Sequence, residues 1–266
     1  MCFKDRVIPY WEPPKVHLGP LTIELFGLFV AAGAFLGLYL GQRHARRLGL
    51  SDRPVLDSLV WAIGAGLFTA HWVHLAFYHP EEMAKSPLQP LRFWDGSSSL
   101  GGAAGGVVAV LVFFRVKKLP VWDYADAFAL GVAPGWAVAR LGCFAVHDHP
   151  GRLSSFLLAV NFPMGSRHDL GLDEALLLGG IGLLVHALAH ERKLPGRLIG
   201  VVALVYGVGR FALDFLRAQD LPHAFVDVRY AGLTAGQYAC FGLVGYGLFR
   251  LAVPPRLSAR PAPADQ

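Results

Sequence analysis

The chain has 266 residues, of which 54% are hydrophobic and 16% are charged, against about 25% charged in ordinary soluble domains. A soluble core of this size cannot hide so much apolar surface, which excludes a soluble enzyme or binding module and points to an all-α polytopic membrane protein. The net charge of +5 reads as membrane topology, with no nucleic-acid partner needed to explain it.

In chain order, apolar stretches recur near 20–41, 55–78, 101–114, 121–142, 174–190, 198–216 and 232–251, each set against a hydrocarbon core of about 30 Å. They predict about seven transmembrane helices in one domain over residues 1–253. The third stretch is short, and Leu100 with its glycine-rich start extends it. The first follows a polar segment containing Glu12, Pro13 and Pro14 and is long enough to span, so it reads as a first helix and not as a cleaved signal. Residues 254–266, with Pro254, Pro255, Pro261 and Pro263, read as a disordered cytoplasmic tail.

Lysine and arginine are retained on the cytoplasmic side during insertion. Arg43, Arg46, Arg47 and Arg53, then Arg115, Lys117 and Lys118, then Arg192, Lys193 and Arg197, then Arg250, Arg256 and Arg260 fall on alternate connections. The opposite connections carry fewer and more scattered cations. The N-terminus is therefore expected in the periplasm and the C-terminus in the cytoplasm of a bacterial inner membrane. Cys2, Cys143 and Cys240 are far apart and have no metal-ligand spacing.

Gly33, Gly37 and Gly41 form a small-residue stripe expected to pack a neighbouring helix. Gly101, Gly102, Gly105 and Gly106 read either as a tight helix crossing or as bare backbone lining a cavity. His71 and His74, three apart, share a face of the second stretch, and Asp57 sits one to two turns into its start, a pattern open to proton handling but more usual for histidines hydrogen-bonded to a neighbour.

An arginine at mid-bilayer costs roughly 2.5–3.5 kcal/mol on insertion scales, so the charges inside spans are informative. Tyr206, Arg210, Asp214 and Arg217 lie on one helical face. They read either as an ion pair joining helices or as a polar stripe in which Arg210 grips an anionic group. A second dense site begins with Arg140, Gly142, Cys143 and Phe144 and continues through His147, Asp148, His149, Pro150, Gly151 and Arg152. Two histidines around an aspartate suggest a metal, but three adjacent residues do not easily converge on one ion. The reading preferred over that, and over a plain surface loop, is an active-site loop that meets a lipid headgroup through Arg140 and Arg152.

Together these residues resemble the phosphatidylglycerol–prolipoprotein diacylglyceryl transferase family. The resemblance is carried by Leu25–Leu28 and the Arg46–Leu50 exit of helix one, by Arg140, Gly142 and Phe144 closing at Arg152, by His168 and Glu174 before helix five, by Tyr206, Gly207, Arg210, Asp214, Phe215 and Arg217, and by Leu233, Thr234, Gly236 and Gln237. It implies seven spans with the N-terminus outside, phosphatidylglycerol and a prolipoprotein lipobox segment as partners among membrane lipids, and neither cofactor nor metal. It also implies a transferase that moves a diacylglyceryl group to the lipobox cysteine thiol. The catalytic set expected is Arg140, Arg210, Tyr206, His147, Asp148 and His149, and the lipid-binding set is Arg140, Arg152, Gly151, Gly101, Gly102 and Arg210.

The chain also departs from that pattern. Leu100 stands where the family has a histidine, Phe26 where it has a tyrosine, Cys143 where it has an asparagine, Asp148 where it has a glutamate, and Asp169 where it has a proline. His147 or His149 is expected to replace the missing histidine as the base. A lapsed member that binds lipid or lipoprotein without transfer is the alternative, and a transporter is a more distant one.

Overall fold

The computed structural model describes residues 7–13, 15–18, 21–78, 82–83, 86, 88–92, 96, 98–221 and 229–257. Cys2 and the last nine residues of the expected tail lie outside them. The described residues divide into two compact units.

The larger unit takes in the described residues up to Gly41 together with Ala125–Pro255. It holds most of helix α1 (Leu25–Arg47) and all of α4 (Ala125–Val146), α5 (Leu170–His190), α6 (Leu198–Leu213) and α7 (Ala235–Ala252). Ala129, Leu130 and Ala133 of α4, Ile181 and Val185 of α5, and Leu198, Val201 and Val202 of α6 form its buried core. The Gly33 and Gly37 stripe of α1 lies on Gly131 and Gly135 of α4, and a Cβ at Gly37 would meet the Gly131 carbonyl oxygen at 2.9 Å. Bare backbone is what lets these helices approach so closely.

The smaller unit contains the end of α1, then α2 (Arg53–Val73) and α3 (Ser99–Val116). α3 starts at Ser99, as the short third stretch required, because the Ser98 hydroxyl accepts from Gly101 N at 3.3 Å and caps it. The glycine run resolves as a tight crossing. A Cβ at Gly101 would meet Val73 Cβ at 2.6 Å, and Thr69 Oγ1 donates to the Gly101 carbonyl at 2.9 Å. His71 is fully buried, its ring nitrogens 3.1 Å from Gly96 O and 3.0 Å from Gln89 O, so it ties the helix to the following connection. Asp57 pairs with Arg53 at 2.9 Å.

Among the described residues, five helical segments are long and apolar enough to cross a membrane: Leu25–Arg47, Arg53–Ala76, Ala125–Val146, Leu170–His190 and Leu198–Leu216. Large apolar side chains stand exposed along them, Phe35 at 73% and Leu183 at 76%, which suits contact with lipid and not with water. The chain is a multi-pass helical membrane protein.

The all-α expectation needs one correction. β1 (Ile8–Pro9), β4 (Pro150–Leu153), β5 (Val160–Phe162) and β6 (Gly165–Asp169) form a sheet in the order β1-β5-β6-β4. β2 (Lys15–Leu18) pairs with β3 (Leu21–Glu24), and β7 (Arg229–Tyr230) with β8 (Leu233–Thr234). The α4–α5 connection cannot be helical, because Pro150 and the turn at Gly165 (φ +108°) interrupt it. Its backbone groups are satisfied by strand pairing instead.

Candidate active site

Three helices of the larger unit carry the polar residues to one place. Arg140 sits one and a half turns before the end of α4, Glu174 in the second turn of α5, and Tyr206 and Arg210 one turn apart on α6. Glu174 is the hub. Its Oε2 lies 3.0 Å from Arg140 Nη2 and 3.5 Å from Arg210 Nε, while Tyr206 OH donates to Oε1 at 2.6 Å. The Trp136 ring lies against that of Tyr206, with centroids 5.8 Å apart.

Asp214, at the end of α6, is a second hub. Its Oδ1 accepts from Arg210 Nη1 and from Arg217 Nε, both at 2.5 Å. The Thr234 hydroxyl donates to Oδ2, and the same hydroxyl accepts from Gln237 N at 3.1 Å in the capping box that starts α7. Of the two readings of the Arg210 stripe, the contacts show the ion pair, with Asp214 on one side and Glu174 on the other. Guanidinium groups of Arg140, Arg210 and Arg217 thus converge on the carboxylates of Glu174 and Asp214. Arg140 Nε is buried without a partner among the described residues. A buried N–H left without an acceptor in a low-dielectric setting is costly, and an anionic oxygen would satisfy it.

The loop after α4 is divided. His147 adopts φ +52° and turns away, its Nδ1 2.8 Å from the Asp169 carboxylate. Tyr10, Trp11, Phe144 and Phe162 pack round its ring, with centroids 5.0, 4.2, 5.5 and 5.3 Å away. Asp169 in turn accepts from Gly171 N and Leu172 N at the start of α5. His147 therefore anchors the loop to that helix. Closed on all sides, it is badly placed as the base expected of it.

Asp148 and His149 take the other direction and meet Cys143, three ligand-type atoms lying within 4.8 Å of one another. The His149 Nδ1 pairs with Asp148 Oδ1, and Arg140 Nη1 points at Cys143 Sγ at 3.5 Å. Burial works against the charged imidazolium, but Asp148 and the Cys143 sulfur outweigh it and raise His149 to about 9. At neutral pH its acceptor nitrogen is already filled, which weakens the expectation that it acts as a free base.

Gly151 is a packing position. A Cβ there would meet Leu216 O at 2.7 Å and His168 Cβ at 2.9 Å. Arg152 is exposed and has no ion-pair partner among the described residues. Gly101 and Gly102 belong to the smaller unit, where Val73, Thr69, Ala70 and Gly66 of α2 occupy the space beside them. Glu174 was placed by resemblance alone and omitted from the expected catalytic set. A carboxylate one residue beyond Asp173 in an apolar span, in a chain with two intramembrane arginines, was the signal for it.

The model of the family described as prolipoprotein diacylglyceryl transferase matches residues 13–253. The chain is similar to the phosphatidylglycerol–prolipoprotein diacylglyceryl transferase of Agrobacterium fabrum, 29% identical over 271 residues, covering 96% of this chain and 94% of the relative. It is also similar to the proteins of the same name from Brucella canis, 30% identical with 96% and 95% covered, and from Rhizobium meliloti, 29% identical with 89% and 87% covered. A match over nearly the whole chain, with the two arginines held on one glutamate between its helices, places this chain in the prolipoprotein diacylglyceryl transferase family.

Proposed function

We propose that this chain transfers the diacylglyceryl group of phosphatidylglycerol to the lipobox cysteine thiol of prolipoproteins. It would do so from the bacterial inner membrane, with seven spans, a periplasmic N-terminus and a cytoplasmic C-terminus. The sulfur attacks the glycerol carbon that carries the phosphate, a C–S bond forms, the C–O bond breaks, and the electron pair leaves on glycerol phosphate. The observation that carries the reading is the Arg140–Glu174–Arg210 cluster, in which Arg140 Nε is buried without a partner among the described residues. Glu174 holds both guanidinium groups in place before substrate arrives, so stabilising the departing phosphate needs little reorganisation. The free Arg140 Nε and the exposed Arg152 are the donors offered to the lipid phosphate. Tyr206 fixes the glutamate. The loop bearing Cys143, Asp148 and His149 is where the thiol enters.

The test is transfer in detergent from labelled phosphatidylglycerol to a lipobox peptide. Transfer is expected from the unaltered chain and a loss of at least tenfold from Arg140→Ala and Arg210→Ala. Lipid binding without transfer would replace this reading with a lapsed member, the outcome to which Phe26 and Leu100 point.

A further inference from the structure

Thioether formation needs a thiolate, and an ordinary thiol has a pKa near 8.5. Near the loop after α4, two histidines are already engaged: His147 is enclosed and paired with Asp169 at 2.8 Å, and His168 is paired with Asp173 at 3.0 Å. What remains is the group formed by Cys143, Asp148 and His149. The sequence gives these three no metal-ligand spacing, since four residues lie between the cysteine and the aspartate. The positive φ of His147 overrides the spacing. It swings Asp148 and His149 back over the last turn of α4, onto Cys143, while His147 itself goes to Asp169.

We propose that Cys143 Sγ, the Asp148 carboxylate and the His149 imidazole hold a zinc ion whose fourth position takes the incoming lipobox thiol. The step with the thiol rests on the transfer reading above. Sulfur, nitrogen and oxygen donors of this kind surround zinc at about 2.0–2.3 Å, which puts them roughly 3–4 Å apart. The three atoms here lie within 4.8 Å of one another, so small side-chain rotations close the set. An ion between Asp148 Oδ1 and His149 Nδ1 takes the place of their mutual contact. Charge balances as well: a thiolate and a carboxylate neutralise a divalent ion, and the nearby Arg140, 3.5 Å from the sulfur, is itself opposed by Glu174 at 3.0 Å. Three protein ligands with one open position is the arrangement of catalytic zinc and not of structural zinc.

A thiol that coordinates such an ion loses its proton at neutral pH. Here the proton passes to solvent water, and the sulfur keeps its pair on the metal. The bound thiolate then attacks the lipid's glycerol carbon. The C–S bond forms as the C–O bond to phosphate breaks, and the leaving pair stays on the phosphate oxygen beside Arg140. In this arrangement His149 is a ligand, and no free base is required.

The experiment uses the full chain in detergent, stripped with a chelator and given one equivalent of cobalt(II) as a spectroscopic substitute. The expected result is a sulfur-to-cobalt charge-transfer band with visible bands of tetrahedral intensity. Both should be lost in Cys143→Ser and weakened in Asp148→Asn, with tryptophan fluorescence checking that each variant is folded. A lipobox peptide should intensify the charge-transfer band, and the same peptide with serine for cysteine should not. Stripping should slow transfer at least tenfold, and zinc should restore it. No cobalt band, or transfer at full rate by protein shown to be metal-free, overturns the zinc site and leaves the transfer reading intact. A cobalt band in a protein that never transfers upholds the three-residue site and removes the thiol step with the transfer reading.

Discussion

Arg140 and Arg210 reach the same oxygen of Glu174 from two different helices, at 3.0 and 3.5 Å. The glutamate is almost wholly buried, so it joins α4, α5 and α6 through charge where the rest of their contact is apolar. Removing one partner of a buried ion pair leaves the other charge uncompensated, at a cost of about 3–5 kcal/mol. Glu174→Gln keeps the shape and deletes the charge, and it takes the carboxylate partner from Arg140 while Arg210 keeps Asp214. The expected outcome is a lower unfolding temperature in detergent together with a fall in transfer of roughly tenfold to a hundredfold. Tyr206→Phe, which removes one hydrogen bond to a charged acceptor, should cost about 1.5–3 kcal/mol. Equal stability of Glu174→Gln and the unaltered chain would show that the cluster does not hold the helices.

Gly151 lies between the Leu216 carbonyl and the His168 backbone, and its bridge to Arg217 ties β4 to the end of α6. Gly151→Ala should force a shift costing about 1–3 kcal/mol and move Arg152 and His149 relative to Arg217. Transfer should fall more than stability does, read as the rate per folded molecule. Gly242→Ala, in α7 where an added Cβ meets nothing within 4 Å, is the control and should stabilise by about 0.5–1 kcal/mol.

The helices were legible because apolar length and flanking charge are dictated by the bilayer, and each of the seven expected stretches has its helix. Their ends were less so. α5 begins four residues early because Asp169 caps it, and α4 begins late because Val121–Asp123 takes a 3-10 turn. The sheet beyond α4 was not legible, since strands of two to five residues carry too little alternation to read. Arg140 and Arg210, which meet at Glu174, stood out because charge inside a span is conspicuous. The split between His147 and His149 depends on one backbone torsion, which no residue pattern announces.

Thr234 serves two structures at once. Its hydroxyl caps α7 by accepting from Gln237 N at 3.1 Å and donates to the buried Asp214. Thr234→Val keeps the volume and loses both, for a cap loss of about 0.5–2 kcal/mol and a further loss from Asp214 left one donor short. Thr234→Ser should recover most of both. If Thr234→Val and Thr234→Ser melt together, the hydroxyl is not the group that matters.

The acid limb of stability should trace to a pair outside the spans. Arg167, buried against the sheet, donates from Nη1 to Asp220 Oδ1 at 2.9 Å and from Nη2 to Oδ2 at 2.6 Å, and Nη1 also reaches the Gly151 carbonyl at 3.1 Å. The hydrogen bonds from Arg167 hold the Asp220 carboxyl down at about 2, below the value near 3.9 of an unfolded aspartate. A depressed carboxylate stabilises the folded state above its unfolded pKa, and that contribution fades as pH falls through the folded value. The unfolding midpoint of Asp220→Asn should therefore sit below that of the unaltered chain by a constant amount from pH 7 to about 5. The gap should narrow below about pH 4 and close near pH 2. It should also shrink with added salt, because Asp220 is half exposed and its charge is screened. A gap that stays constant down to pH 2 would mean that Asp220 acts through its shape and not its charge, and Arg167→Gln would then be expected to leave the pH profile unchanged.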